Sequence, residues 1–224
     1  MDILFFLKER ITFIRYYYNS ASLVFTDTKQ KIENGEHPFD DAREEDCPPY
    51  EVEWQNADMG LDFLGRTCVS MLSASLQLYF LTWEAQFNIR WEEGERKKTF
   101  KSGFVDGYRK CFGEALGIPW DKCPVDFSVL EQVVLARNSD QHPSRITSIR
   151  THHKESDIRK HKIPVFISDF DRTMLLEAAL PDWILMRPAI YVSRDNLFEA
   201  ITQVELLGEW LEEQMMAAKY QHSC

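Results

Sequence analysis

From Ile3 to about Glu33 apolar residues return at helical spacing with few breakers. Phe6, Ile14, Tyr17 and Tyr18 lie near one stripe with Phe13, and Lys8, Glu9, Arg10 and Arg15 are mixed around it. The pattern predicts a long helix that Gly35 caps at its C-terminus. Residues 36–58, EHPFDDAREEDCPPYEVEWQNAD, are acidic and contain proline, which predicts an irregular connection over the surface. Asp58 is placed to cap a second long helix, Met59 to about Trp91, holding the most apolar run of the chain. A helix from Phe104 to Leu116 follows, stopped by Gly117 and Pro119. Ser128 and Glu131 then have the spacing of a capping box, ahead of Leu130, Val133, Val134 and Leu135. Pro143 disfavours helical geometry at His142, so this helix ends near Gln141 or His142. IPVFIS (163–168) and AIYVS (189–193) are short apolar or β-branched runs that predict a small ribbon. A last helix runs from about Arg194 to Tyr220, with Leu197, Ile201, Val204, Leu207, Trp210 and Leu211 in register.

The expectation is an all-α fold, a bundle of about five helices with one minor, short β-ribbon near the C-terminal third. Residues 1–224 read as a single domain, with surface elaborations at 36–58 and 145–165. At 44% hydrophobic and 13% aromatic the chain can build a real core. The uncharged run from Thr67 to Trp83 is short for a membrane span and carries Ser, Thr and Gln, which favours a buried core helix and no membrane. Five cysteines, an odd number without CxxC spacing, argue against a zinc knuckle or a disulfide framework and for a reducing, cytoplasmic setting. Neither cofactor nor metal is expected.

Charge changes the picture more. With 26 Lys+Arg against 36 Asp+Glu, the formal net charge is -10. Such a field repels phosphates, so a general nucleic-acid coat protein is excluded and any phosphate site must be a local basic pocket. One segment qualifies. From Arg137 to Lys162 there are seven Lys/Arg against three acids, together with His142, His152, His153 and His161. It opens with LARNSDQHPS, Leu135 to Ser144. Arg137 offers a fixed fork of donors matched to phosphate oxygens, and His142 can take and return a proton near neutrality. Together they supply a base for a ribose 2′-OH and a cation for charge developing on phosphorus, so RNA could be cut without a metal. Five residues turn through about 140° on a regular helix, so Arg137 and His142 do not share a face, whereas Asn138 and His142 do. Either the helix distorts before Pro143 or the working set is assembled from two chains.

RNSDQH, Arg137 to His142, resembles the signature of HEPN domains, an Arg and a His separated by a few residues with a polar residue directly after the Arg. The resemblance implies a four- to five-helix fold over most of the chain, a homodimer pairing two motifs in one cleft, and metal-independent ribonuclease activity. Arg137 and His142 become the catalytic pair and Asn138 its polar supporter, with a weaker role for Asp140. Ser144 stands where some toxin members have tyrosine. Such proteins recur in toxin–antitoxin and phage-defence systems, so RNA and a cognate antitoxin are the implied partners. Arg145, Arg150, His152, His153 and Lys154 are the candidate substrate contacts.

Plainer readings stand beside these. Arg137 and His142 also suit a cationic last turn that complements the helix dipole. The histidines of 152–161 suit a solvated loop, and Tyr16, Tyr17 and Tyr18 suit packing rather than base stacking. Glu84 either orients Arg137 or marks a change of helix face. At the level of function, a non-catalytic HEPN-like module binding a nucleotide or partner, and a helical adaptor, are the alternatives to the ribonuclease.

Overall fold

The computed structural model describes residues 2–40, 50–141, 150–161, 163–177 and 187–221, with no side-chain description for Gln221. Among the described residues five long helices carry the structure: α1 (Ile3–Asn34), α2 (Glu51–Gln86), α4 (Phe104–Leu116), α5 (Phe127–Gln141) and α8 (Arg194–Gln221). Three shorter ones, α3 (Glu95–Thr99), α6 (Glu155–Lys160) and α7 (Asp169–Glu177), lie between them. The all-α expectation holds.

Local chemistry sets the ends of α1. Asp2 accepts the Phe5 N–H at 2.9 Å, and Gly35, at φ 63, returns its own N–H to Ile32 and Lys31. Along α1 only Ile3, Leu7, Ile11, Ile14 and Tyr18 are buried, one stripe at helical spacing. α2 begins two turns earlier than the acidic composition suggested, entered through Tyr50 at φ 64. Asp58 is therefore not a cap but a mid-helix side chain, paired with Lys29 of α1 at 2.6 Å. The acidic first turn of α2, Glu51 and Glu53, is where the helix dipole favours negative charge, which accounts for the longer helix.

The pairing residues define the topology. Trp54 donates to Glu33 at 2.9 Å and Lys29 reaches Asp58, so α1 and α2 form an antiparallel hairpin. Lys8–Glu209 and Arg15–Glu205, both at 2.6 Å, and the edge contact of Tyr18 with Phe198 place α8 antiparallel to α1. α5 packs against α2 and α8, closing a four-helix bundle, and α4 seals one end. There Tyr108 stacks on Phe80 at 4.7 Å, with Phe112 alongside. The interior is continuous from Leu72, Leu76 and Phe80 through Leu130 and Val133 to Ile201, Val204 and Leu207. The uncharged run of α2 supplies the bundle interior, and no helix among the described residues is long and apolar enough to cross a membrane.

The β-ribbon is not formed. Among the described residues the only bridge joins His152 to Ala189, and IPVFIS and AIYVS meet in one hydrogen bond, Tyr191 N–H to the Phe166 carbonyl at 3.1 Å. Phe166, Ile167, Ile190 and Val192 are buried, so these runs are apolar because they cover the bundle, not because they pair as strands. The described part of the 145–165 stretch, 150–161 and 163–165, is likewise tied down: Ile158 of α6 is buried and Lys160 pairs with Glu131 of α5. The acidic residues 41–49 of the other elaboration lie outside the described residues.

One glycine sets how closely the second run approaches. A Cβ on Gly65 of α2 would stand 2.5 Å from the Val192 carbonyl oxygen. Gly→Ala inside a helix ordinarily stabilises by about 1 kcal/mol. Here Gly65→Ala is expected to destabilise by about 1–3 kcal/mol, because backbone must move. Urea unfolding midpoints of the variant and the parent chain check this.

Candidate functional site at the end of α5

Both ends of α5 depart from what its sequence alone suggests. At the start, Asp126 rather than Ser128 is the cap: its carboxylate accepts the Ser128 N–H at 2.8 Å, and its carbonyl accepts from Val129 and Leu130. Aspartate is as strong a cap as serine and comes first in register. The Ser128 hydroxyl instead lies 3.0 Å from His161 Nδ1 and accepts from Gln132 Nε2 at 3.1 Å. His161 is thus a structural residue at the opposite end of α5 from the RNSDQH segment.

At the C-terminal end the motif residues divide by face. Ala136 and Ser139 are buried, whereas Arg137 and Asn138 are half-buried at the surface. Arg137 donates from a terminal guanidinium nitrogen to Asn138 Oδ1 at 2.9 Å, so the asparagine does hold the arginine head. Asp140 turns back into the fold and accepts from Arg66 of α2. Arg66, only 4% exposed, also donates to Asp62 at 3.1 Å and lies 3.4 Å from the Thr151 hydroxyl. Its guanidinium stands 4.3 Å over the Phe63 ring. His142 and Arg145 lie outside the described residues.

Arg66 is the residue that sequence reasoning missed. Its signal was present: the one cation within the most apolar helix, four residues after Asp62 and flanked by Leu64, Gly65, Cys68 and Val69. A charge on a face that is otherwise apolar needs a partner from another element. Here that partner is the aspartate of the motif.

Thr151 brings its neighbour Arg150 to the same region. Arg150 lines a cavity of about 180 Å³ with Asp58, Asp62, Ser168, Asp171 and Tyr191. Burial raises the Asp62 carboxyl above its ordinary 3.8, outweighing the opposing pull of Arg66 and Arg150, and Asp62 Oδ1 is buried without a hydrogen-bond partner. Burial also raises the Tyr191 phenol. The remaining candidates diverge. His152 and Lys154 are exposed. His153 points inward: it is 6% exposed, its Nε2 lies 2.9 Å from the Phe166 carbonyl, and its backbone N–H donates to Pro188. Glu84 does not orient Arg137; it accepts from Tyr108 at 2.7 Å, Trp91 at 2.7 Å and Arg96 at 2.6 Å.

The arrangement is a rigid helix end presenting one oriented guanidinium, beside an acidic cavity guarded by a second arginine. Among the described residues no group of three His, Cys, Asp or Glu side chains is placed to hold a metal ion. No protein-family model, curated protein or solved structure matches the chain.

Removing one member of a buried charge pair leaves the other uncompensated, at a cost of about 3–5 kcal/mol. Arg66→Ala is expected to fall in that range by urea unfolding. Asp140→Ala should cost less, since Asp140 is 25% exposed and Arg66 retains Asp62. Equal stability of Arg66→Ala and the parent chain would show that the pair does not hold this end.

Burial holds the His153 imidazole below its usual 6.5. Between the folded value and 6.5, unfolded chains carry the proton and folded chains do not. Stability from this residue therefore rises with pH across that window and is lost as pH falls through it. His153→Gln keeps a donor for the Phe166 carbonyl and is expected to flatten that acid-side loss, read from unfolding midpoints at about pH 5 and pH 7.

Proposed function

We propose that this chain is a metal-independent endoribonuclease of HEPN type, acting in the cytoplasm as a toxin or phage-defence effector. One observation carries the reading. The motif's own Asp140 anchors the helix end to buried Arg66, which leaves Arg137 and Asn138 at the surface with the guanidinium already oriented. A fixed, partly desolvated cation is what charge developing on a phosphorane needs, since no reorganisation is spent in the transition state. His142, next along the chain, takes the proton of the ribose 2′-OH. The 2′-oxygen bonds to phosphorus, the bond from phosphorus to the 5′-oxygen breaks, and the imidazolium returns its proton to that leaving oxygen. Arg150, His152 and Lys154, with Arg145, are the residues available to follow the strand; His153 is set aside by its burial. Homodimerisation and a cognate antitoxin belong to the same proposal.

A second reading, binding without turnover, has its own support. The cavity at Arg150 carries the carboxylates of Asp58, Asp62 and Asp171, a lining that repels phosphate and suits a ligand rich in hydrogen-bond donors. Turnover separates the two.

The ribonuclease reading predicts RNA cleavage in the presence of a metal chelator. Arg137→Ala and His142→Ala should each lose about 100-fold or more, the scale of one acid–base or electrostatic group. If both variants fold and cleave at the parent rate, the mechanism is wrong. A parent chain that leaves RNA uncut and instead binds a donor-rich ligand such as spermine favours the second reading.

A further inference from the structure

The cavity beside Arg66 carries a further inference, which rests on the ribonuclease reading and concerns the part of the RNA that the protein selects. Its volume of about 180 Å³ is the share of about six waters. That is below the roughly 300 Å³ at which pockets for drug-sized ligands begin, and it suits one flat ring system.

Three carboxylates line the cavity, and each is held by one oxygen only. Lys29 holds Asp58 Oδ1 at 2.6 Å, Arg66 holds Asp62 Oδ2 at 3.1 Å, and the Ser168 hydroxyl donates to Asp171 Oδ2 at 2.9 Å. Among the described residues no hydrogen bond reaches the second oxygen of any of the three, and that of Asp62 is buried. Acceptors fixed in place with an oxygen to spare are pre-organised for a ligand's N–H groups. The raised Asp62 carboxyl is the mark of an anion short of donors.

Two more groups supply what carboxylates cannot. Arg150, exposed at the cavity, makes no hydrogen bond or ion pair among the described residues, so its fork of donors is available. Phe63 also lines the cavity and is 52% exposed, with the Arg66 guanidinium backing its ring at 4.3 Å. An exposed ring of this kind is a platform for stacking.

Of the four RNA bases, guanine answers this combination best. Its N1–H and N2–H donors lie side by side on one edge, and its O6 and N7 acceptors, to which arginine bonds in bidentate fashion, lie on another. Adenine and cytosine bring a single amino group, and uracil a single N–H. Charge also sets the direction of entry: the carboxylates repel phosphate, so the base goes in and the backbone stays out. Asp62 of the cavity and Asp140 of α5 bond to the same Arg66 guanidinium, so a strand with its base seated there leaves beside the motif. We propose that this cavity is a base pocket for guanine. Phe63 stacks on the ring, the carboxylates accept from N1–H and N2–H, and Arg150 donates to O6 and N7. Arg150 then reads the base instead of following the backbone, and RNA is cut next to guanosines.

Equilibrium dialysis of the full chain against guanosine, inosine, adenosine, cytidine and uridine, up to about 1 mM, tests the pocket without requiring turnover. Guanosine should bind about 10-fold or more tightly than adenosine, cytidine or uridine, since one bidentate contact discriminates about 5- to 150-fold. Inosine, which lacks only the 2-amino group, should bind about 5-fold or more weakly than guanosine. Arg150→Ala and Phe63→Ala, both at exposed positions, should keep the parent's circular dichroism and lose that preference. In an RNA with a single guanosine, cleavage should fall beside it and slow by about 5-fold or more when inosine replaces it. That change lies in the substrate, so loss of folding cannot imitate it. Nucleosides bound alike or not at all overturn the inference, as does spermine bound in preference to guanosine. RNA cut without regard to guanosine overturns it too and leaves the ribonuclease reading standing. Guanosine preference in a chain that does not cut RNA keeps the pocket and overturns the ribonuclease.

Discussion

The Arg66 guanidinium is the constraint on which the arrangement around the motif depends. It is a full charge inside a helix whose neighbours are apolar, and desolvating it costs several kcal/mol unless acceptors are supplied. Three segments supply them: Asp62 from its own helix, Asp140 from the end of α5, and Thr151 from the segment ahead of α6. Satisfying one buried cation therefore fixes three chain segments in space. The motif end of α5 frays only by giving up the Arg66–Asp140 pair, and the 150–153 segment lifts away only by weakening the same cluster. Position, not reactivity, is what Asp140 contributes.

That cluster also redistributes the electrostatics inferred from composition. In sequence, residues 137–162 form a basic island in an acidic chain. In space the island is partly cancelled. Lys160 and His161 turn to Glu131, Arg159 pairs with Glu155, and Arg150 lines one cavity with Asp58, Asp62 and Asp171. What remains for an anionic strand is a small number of cations around a helix end rather than a broad basic face. A site of this kind owes its selectivity to geometry more than to long-range attraction, because the field of the whole molecule works against approach.

The long helices were legible because each carries an uninterrupted apolar stripe, as the α8 run from Leu197 to Leu211 does. Gly35 was legible as a cap because only left-handed backbone ends a helix that way. The failures have two causes. Asp58 and Ser128 were displaced as caps by nearer local chemistry, the acidic first turn of α2 and the Asp126 carboxylate, and their side chains pair instead with Lys29 and His161. The runs IPVFIS and AIYVS were claimed by the bundle surface. At the candidate site, Arg137 beside Asn138 could be read from the segment itself. Arg66 could not, since its partner lies 74 residues away and only the fold makes them neighbours.

The long hairpin has a further consequence. After Tyr18, α1 buries no residue, and on α2 only Ala57 is buried before Leu64. The last sixteen residues of α1, about 24 Å of helix, are held by a few contacts with α2: the Lys29–Asp58 pair, the Trp54–Glu33 hydrogen bond and Phe25 against Gly60. Half of the longest hairpin is thus a cantilever clamped by the bundle at one end. Its amides are expected to open through local fraying, and those level with Arg66 only with the whole bundle. The chain carries two mechanical regimes along a single helix pair: a compliant arm, and a stiff root beside the candidate site.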